Sequence, residues 1–265
     1  MSGSSRVPRT TPIFILTPPA DFLIELEEPG ADHVEMQFSL KRRLSVPDAR
    51  IEYGHEVEYV DREVGRLMAA IENRGWADDS LIIVTADHGE GIGDHDHIGH
   101  IHQLYDTLLH VPLIIVAPGH VPEGLVVDQP VSLIDVLPTI AELVGFRAPE
   151  NIRGRSLVPL MQPGGFLPDR PHVALTAKPE AASDLEAIIV DGWKLIRKRE
   201  TGQVALFDLS ADPGELTDLA PERPDDVDRL DRILDQYMAS SVATSAWAEL
   251  DDESRSRLEA LGYVH

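Results

Sequence analysis

The sequence predicts an α/β chain, a mainly parallel sheet flanked by helices, with a small C-terminal antiparallel α+β subdomain behind it. Three observations predict it. Two continuous apolar runs, Leu81 to Thr85 and Val111 to Gly119, read as strands covered on both faces. Helical periodicity precedes the first run and follows the second, the alternation that a helix-covered sheet requires. Past Gly165 the pattern changes to short strands separated by turn residues.

Residues 1–50 form a weakly patterned N-terminal segment. Within it Ile13 to Leu16 reads as one short strand, closed by Pro18 and Pro19. Residues 51–165 carry the core. From Glu56 onward Val57, Val60, Val64, Leu67, Met68 and Ile71 recur at helical spacing, and Gly75 supplies the C-terminal cap. The strand LIIVT comes next, then a polar loop, then VPLIIVAPG, which Pro118 and Gly119 stop. Ser132 and Asp135 have the spacing of a capping box, opening a helix through Val136, Ile140 and Leu143 to Gly145.

Residues 166–265 make up the second unit. Its strands are Ala187 to Val190, Trp193 to Arg197 and Val204 to Phe207. Asp191-Gly192 fits a two-residue hairpin turn between the first two, and Thr201-Gly202 fits another between the last two. An acidic helix spans about Asp225 to Met238. The paired acids Asp225-Asp226 and Asp251-Asp252-Glu253 belong at helix starts, where negative charge is favourable.

Charge and composition exclude several function classes. The 265 residues hold 23 basic and 46 acidic side chains, a net charge of 23 − 46 = −23. Such a chain repels nucleic acid and anionic membranes at long range. No apolar run approaches the ~18 residues of a membrane span. The absence of cysteine removes disulfides, thiolate metal sites and a cysteine nucleophile. The first residues carry no signal-peptide core, so the expected location is cytoplasmic.

The chemistry concentrates in TADHGEGIGDHDHIGHIHQLYDTLLHVPLII. Six of the eleven histidines fall between His88 and His110, among Asp87, Glu90, Asp94 and Asp96. The loop opens where LIIVT ends, the place where open α/β sheets put ligands. Asp87 and His88 offer a carboxylate oxygen and an imidazole nitrogen, donors that suit a divalent cation from calcium or manganese to zinc. Capping of a following helix is the bland alternative for this pair, and the strand-end position and histidine density outweigh it. His100 and His102, two residues apart, share one side of an extended segment. Neutral, they can ligate a metal, and protonated, they can donate to an anionic substrate or a leaving group, with a solvated polar loop as the bland alternative. His110 reads as structural.

Eight collinear stretches carry a resemblance: EVEYVDREVGRL, DDSLIIVTADHGEGIGDH, GHIHQLYDTLLHVPLIIVAPG, QPVSLIDVLPTIAELVG, IRGRSLVPLM, DGWKLI, LFDLSADPGELTDLA and LEALGYV. From about Tyr53 onward they resemble the C-terminal half of the sulfatase family, within the alkaline phosphatase superfamily. The resemblance implies a sulfate-ester hydrolase with a bound divalent cation, usually Ca2+, with Mn2+ or Zn2+ as alternatives. It places Asp87 and His88 at a metal-ligand pair, His100 where relatives carry a lysine or histidine that contacts the sulfate, and His102 close by. The implied partner is a small-molecule or sugar sulfate ester, with no nucleic acid and no membrane. Two family features are missing from the sequence: the nucleophile motif that starts with Cys or Ser and ends in Arg, and the Asp-Asp pair completing the metal shell. The chain therefore reads as starting midway through the family domain, with an exposed sheet edge open to self-association. A metal-dependent phosphoesterase or phosphonate hydrolase, and a non-catalytic remnant, are the alternative expectations.

Overall fold

Ser45 and Pro47 begin the longest helix. The Ser45 hydroxyl accepts the Asp48 amide at 3.3 Å, and Pro47 occupies the first turn, where its missing N–H costs nothing. The computed structural model describes residues 25–26, 34–37, 42–100, 103–176 and 184–242, with side chains described from position 45 to position 240 within those ranges. The first elements are short antiparallel strands, β1 (Glu25–Leu26), β2 (Val34–Gln37) and β3 (Arg42–Leu44), in the order β1-β2-β3. The helix, α1, spans Val46–Asn73, so it starts well before the periodic pattern at Glu56. In its early turns Ala49 is buried while Ile51 and Tyr53 are exposed, and Val57 and Val60 of the periodic stretch are exposed as well. Gly75 follows with φ +67°, the left-handed conformation expected of it.

The two apolar runs become β4 (Ile82–Thr85) and β7 (Leu113–Val116). They pair antiparallel, Ile82 opposite Val116 and Thr85 opposite Leu113, which corrects the parallel expectation for this pair. Parallel neighbours need a crossover that returns the chain to the starting end of the first strand. Here the connection stays at the carboxyl end of β4. It holds the small ladder of β5 (Gly91–Ile92) with β6 (Ile98–Gly99) and the one-turn helix α2 (Asp106–Leu109). Burial on both faces is also corrected: along β7, Ile114 is 55% exposed and Val116 41%. One side of this ribbon is uncovered among the described residues.

The capping box at Ser132 forms, with a short 3-10 turn over 133–135 leading into α3 (Val136–Val144) and Gly145 at φ +80°. Asp135 does more than cap. It is fully buried and accepts the Ser132 amide at 3.0 Å, the Arg155 amide at 2.9 Å and Arg170 Nη2 at 2.6 Å through both oxygens. That carboxylate ties α3 to the segment after it and to the approach to β8.

Strands β8 (His172–Thr176), β9 (Leu185–Val190), β10 (Trp193–Lys198) and β11 (Val204–Asp208) form an antiparallel sheet in the order β11-β10-β9-β8. Asp191 (φ +52°) and Gly192 (φ +78°) make the two-residue turn between β9 and β10. The next turn is wider than the sequence suggests: Lys198 and Gln203 bracket it, and Gly202 donates back to the Lys198 carbonyl at 2.9 Å. Alternation sorts the sheet into two faces. Ile188, Leu195 and Leu206 pack with Leu230 and Leu234 of α4 (Pro224–Val242), all fully buried. Ala187, Ile196 and Phe207 pack on the other face with Leu104, Tyr105 and Leu109. The expected strand at Ile13 to Leu16, the acids from Asp251 to Glu253 and the closing LEALGYV lie outside the described residues.

Candidate functional site

The turn after β4 is set by a glycine. The Gly89 amide donates to the Leu108 carbonyl at 2.8 Å, and a Cβ on Gly89 would stand 2.0 Å from the Thr107 carbonyl oxygen. Only glycine allows the strand end to lie against α2 this closely. The preceding pair, Asp87 and His88, is thereby held at the carboxyl end of β4. The His88 amide donates to Asp87 Oδ1 at 3.0 Å, and the His88 ring approaches Asp87 Oδ2 through Nε2 at 3.9 Å. His88 Nδ1 lies 2.9 Å from the Gly89 carbonyl. A carbonyl can only accept, so Nδ1 carries the proton and Nε2 offers its lone pair on the side of the carboxylate. This is the tautomer a metal-ligating imidazole needs. The two residues fit half of a coordination shell; among the described residues no group of three or more His, Cys, Asp or Glu is arranged to hold a metal.

His100 comes to the same point from the other end of the β5–β6 ladder. Its ring stacks on His88 with centroids 4.4 Å apart and planes 22° from parallel. Its Nδ1 meets Glu90 Oε2 at 3.1 Å, while Glu90 Oε1 is buried with no hydrogen-bond partner among the described residues. The hydrogen bond to Glu90 raises the His100 pKa above the ordinary imidazole value; burial opposes that rise, and the charges of Glu90 and Asp87 add to it. Carboxylates from α1 deepen the negative field. Burial, then Glu52 and Glu90, push the Glu56 carboxyl up, and burial, then Glu90 and Glu56, push the Tyr53 phenol up. Asp87, His88 and His100 together line part of a groove of about 1330 Å³, whose remaining walls are largely apolar.

The ladder is braced against α1. Arg50 Nη2 contacts both oxygens of Asp94 at 2.9 Å, and Asp94 accepts the Ile92 amide at 3.4 Å. Burial pulls the Asp94 pKa upward, but Arg50 and that amide hold it below the usual carboxylate range. His95 and Asp96 both take positive φ, and the His95 ring lies flat on Tyr105 at 3.6 Å.

Of the residues singled out in the sequence, Asp87, His88 and His100 are brought together, and His102 lies outside the described residues. His110 follows α2 and is exposed. Glu90 carried no assignment beyond being one acid of the loop; its partnership with His100 depends on the ladder, which sequence periodicity does not show.

Residues 25–146 match the family model described as sulfatase, and residues 93–240, more than half of the chain, match N-sulphoglucosamine sulphohydrolase, C-terminal. The chain belongs to the sulfatase family. Arylsulfatase K of Xenopus laevis is 29% identical over 199 residues, covering 71% of this chain and 37% of that protein. Phosphonate monoester hydrolase from Silicibacter pomeroyi superposes with a TM-score of 0.61 at 32% identity, over 68% of this chain and 39% of that one. A protein solved in complex with its substrate D-glucosamine-2-N,6-O-disulfate superposes with a TM-score of 0.61 at 24% identity, over 73% of this chain and 41% of that one, a likeness of fold. This sulfatase-family chain thus spans well under half the length of the relatives it matches.

The Glu90–His100 contact has a measurable consequence. In Glu90→Gln the His100 titration midpoint is expected to move down, read by histidine-ring NMR. The sign carries over to stability. A histidine whose folded pKa is raised contributes fully below its unfolded pKa and loses that contribution as pH rises through the folded one. The wild-type advantage over Glu90→Gln therefore shrinks as pH climbs through the His100 titration.

Proposed function

We propose that this chain carries the Asp-His metal corner and the proton donor of a sulfate-ester hydrolase site. The observation that carries the proposal is the convergence of three side chains: His88 Nε2 faces Asp87 at 3.9 Å, and the His100 ring stacks on His88 at 4.4 Å. Asp87 and His88 would hold the divalent cation, Ca2+ first and Mn2+ or Zn2+ as alternatives. When bound, such an ion supplies Lewis-acid polarisation of a sulfuryl oxygen. His100, protonated, donates through Nδ1 to Glu90 and keeps Nε2–H for the leaving-group oxygen. Glu90 maintains that protonated form to higher pH, which is what a general acid requires. His102, two positions on, is a further candidate donor. A net charge of −23 repels an anionic ester at long range, so capture rests on these local groups.

Phosphonate monoesters are the second substrate class. The 32% identity to the Silicibacter pomeroyi hydrolase favours them, and the same donors serve phosphoryl and sulfuryl oxygens alike. No cysteine is present, and no serine lies in the family's nucleophile context. The chain by itself is therefore expected to turn over 4-nitrophenyl sulfate at under ~10⁻³ s⁻¹, against ~10 s⁻¹ for a typical enzyme. Robust hydrolysis that Asp87→Ala abolishes would contradict that expectation. Binding decides between ester classes. With Ca2+ present, 4-nitrophenyl sulfate should shift the His100 ring signals, and Asp87→Ala should remove the shift. A shift produced only by a phenyl phosphonate monoester selects the second class, and no shift from either defeats the proposal.

A further inference from the structure

A buried lysine connects the C-terminal sheet to the metal corner. Lys194, on β10, is fully buried. Its Nζ lies 2.7 Å from Asp106 Oδ1 and 2.7 Å from Glu215 Oε1. Glu215 Oε2 accepts the Asp106 amide at 2.6 Å, so one carboxylate bridges the lysine and the first backbone amide of α2. Glu215 is itself buried, with φ +54°, a conformation that costs energy unless its surroundings impose it. Two residues later the Leu108 carbonyl accepts the Gly89 amide at 2.8 Å. Beside it, Leu104, Tyr105 and Leu109 pack on Ala187, Ile196 and Phe207, the face of the sheet that also carries Lys194. The path from β10 to Asp87 and His88 is therefore continuous: ion pair, helix start, two residues of α2, backbone hydrogen bond.

We infer that Lys194 is a positioning residue for the Asp87–His88 pair, acting through Asp106, Glu215 and the Leu108–Gly89 hydrogen bond. Its functional consequence rests on the metal reading above; its structural consequence does not. A charged amine with no exposed surface is tolerated only when its partners are fixed, and here those partners fix the start of α2. Sheet packing alone would be served by an apolar side chain at position 194, as at Ile196. The ammonium adds a specified height and rotation for α2, and with it the position of the Gly89 turn.

The test is amide exchange in the 265-residue chain. In Lys194→Met the Gly89 amide should exchange at least tenfold faster than in wild type, while Leu195 and Leu206 amides keep their protection. The broadening of His88 ring signals by Mn2+ should weaken in the same variant. Unchanged Gly89 exchange, or acceleration only in step with Leu195 and Leu206, overturns the inference. If Lys194→Met does not fold, Asp106→Asn decides, because it keeps the backbone amide and removes only the charge. Two- to fivefold faster Gly89 exchange is then expected, and no change overturns the inference. A wild-type chain whose His88 ignores Mn2+ defeats the metal reading instead, and leaves the exchange result to judge Lys194 alone.

Discussion

Replacing Gly89 by alanine is expected to dismantle the Asp87–His88 corner. The new methyl carbon would sit 2.0 Å from the Thr107 carbonyl oxygen, 3.0 Å from the Thr107 carbonyl carbon and 3.2 Å from the Leu108 Cα. All three are backbone atoms, so no side-chain rotation relieves the clash. Either the β4 end or α2 must move, and the Gly89–Leu108 hydrogen bond stretches with it. Overpacking of this kind costs ~1–3 kcal/mol in global stability. The local effect is larger, because the carboxylate and imidazole directly precede the displaced residue. Mn2+ broadening of the His88 ring should fall at least tenfold in apparent affinity. Gly65→Ala serves as the control: that glycine lies inside α1 with nothing near its missing Cβ. There alanine should leave the site unchanged and raise stability by roughly 0.5–1 kcal/mol.

Asp135→Ala is expected to destabilise the protein by about 3–5 kcal/mol, read as a lower denaturant midpoint. The substitution removes the acceptor of two backbone amides, at Ser132 and Arg155, and strands the Arg170 guanidinium, whose side chain is only 19% exposed. The attraction between the pair is lost while the desolvation that it offset remains. The cost comes from leaving a cation and two amides poorly solvated, since a buried polar group without a partner keeps its full desolvation penalty. Adding Arg170→Met to Asp135→Ala should recover part of the loss, because the unpaired charge is then gone while the two amides stay unsatisfied. A double variant as unstable as the single one would locate the cost at Ser132 and Arg155 alone.

Much of this was legible in the sequence, and the exceptions have physical causes. The runs LIIVT and VPLII identify their strands by their β-branched, apolar composition, although one face of the pair is uncovered among the described residues. The direction of their pairing is set by where the connection leaves the chain, which no periodicity encodes. The capping box at Ser132 and the Asp191-Gly192 turn depend on local backbone preferences, so they read directly from residue types. The first turns of α1 did not, because Pro47 and Gly54 read as breakers there. Strand β8 was missed for a related reason: HVALT is short and carries polar ends.

At the site, Asp87 and His88 stand out by residue type at the end of β4, whereas His100 is singled out from His102 by the family resemblance. Glu90 and Lys194 needed the third dimension. Lys194 did leave a trace: in WKLIRK it shares the Ile196 face, and a lysine on an inward face signals a buried ion pair.

The cation itself is the most direct test. Titration of Mn2+ into the wild-type chain, followed by histidine-ring NMR, should broaden the His88 and His100 signals together, with a dissociation constant of ~10⁻⁴ M or weaker, as two protein donors allow. Broadening should vanish in Asp87→Ala and be competed by Ca2+. Histidine signals untouched by millimolar Mn2+, or broadening at His88 that survives Asp87→Ala, would contradict a cation held by this pair.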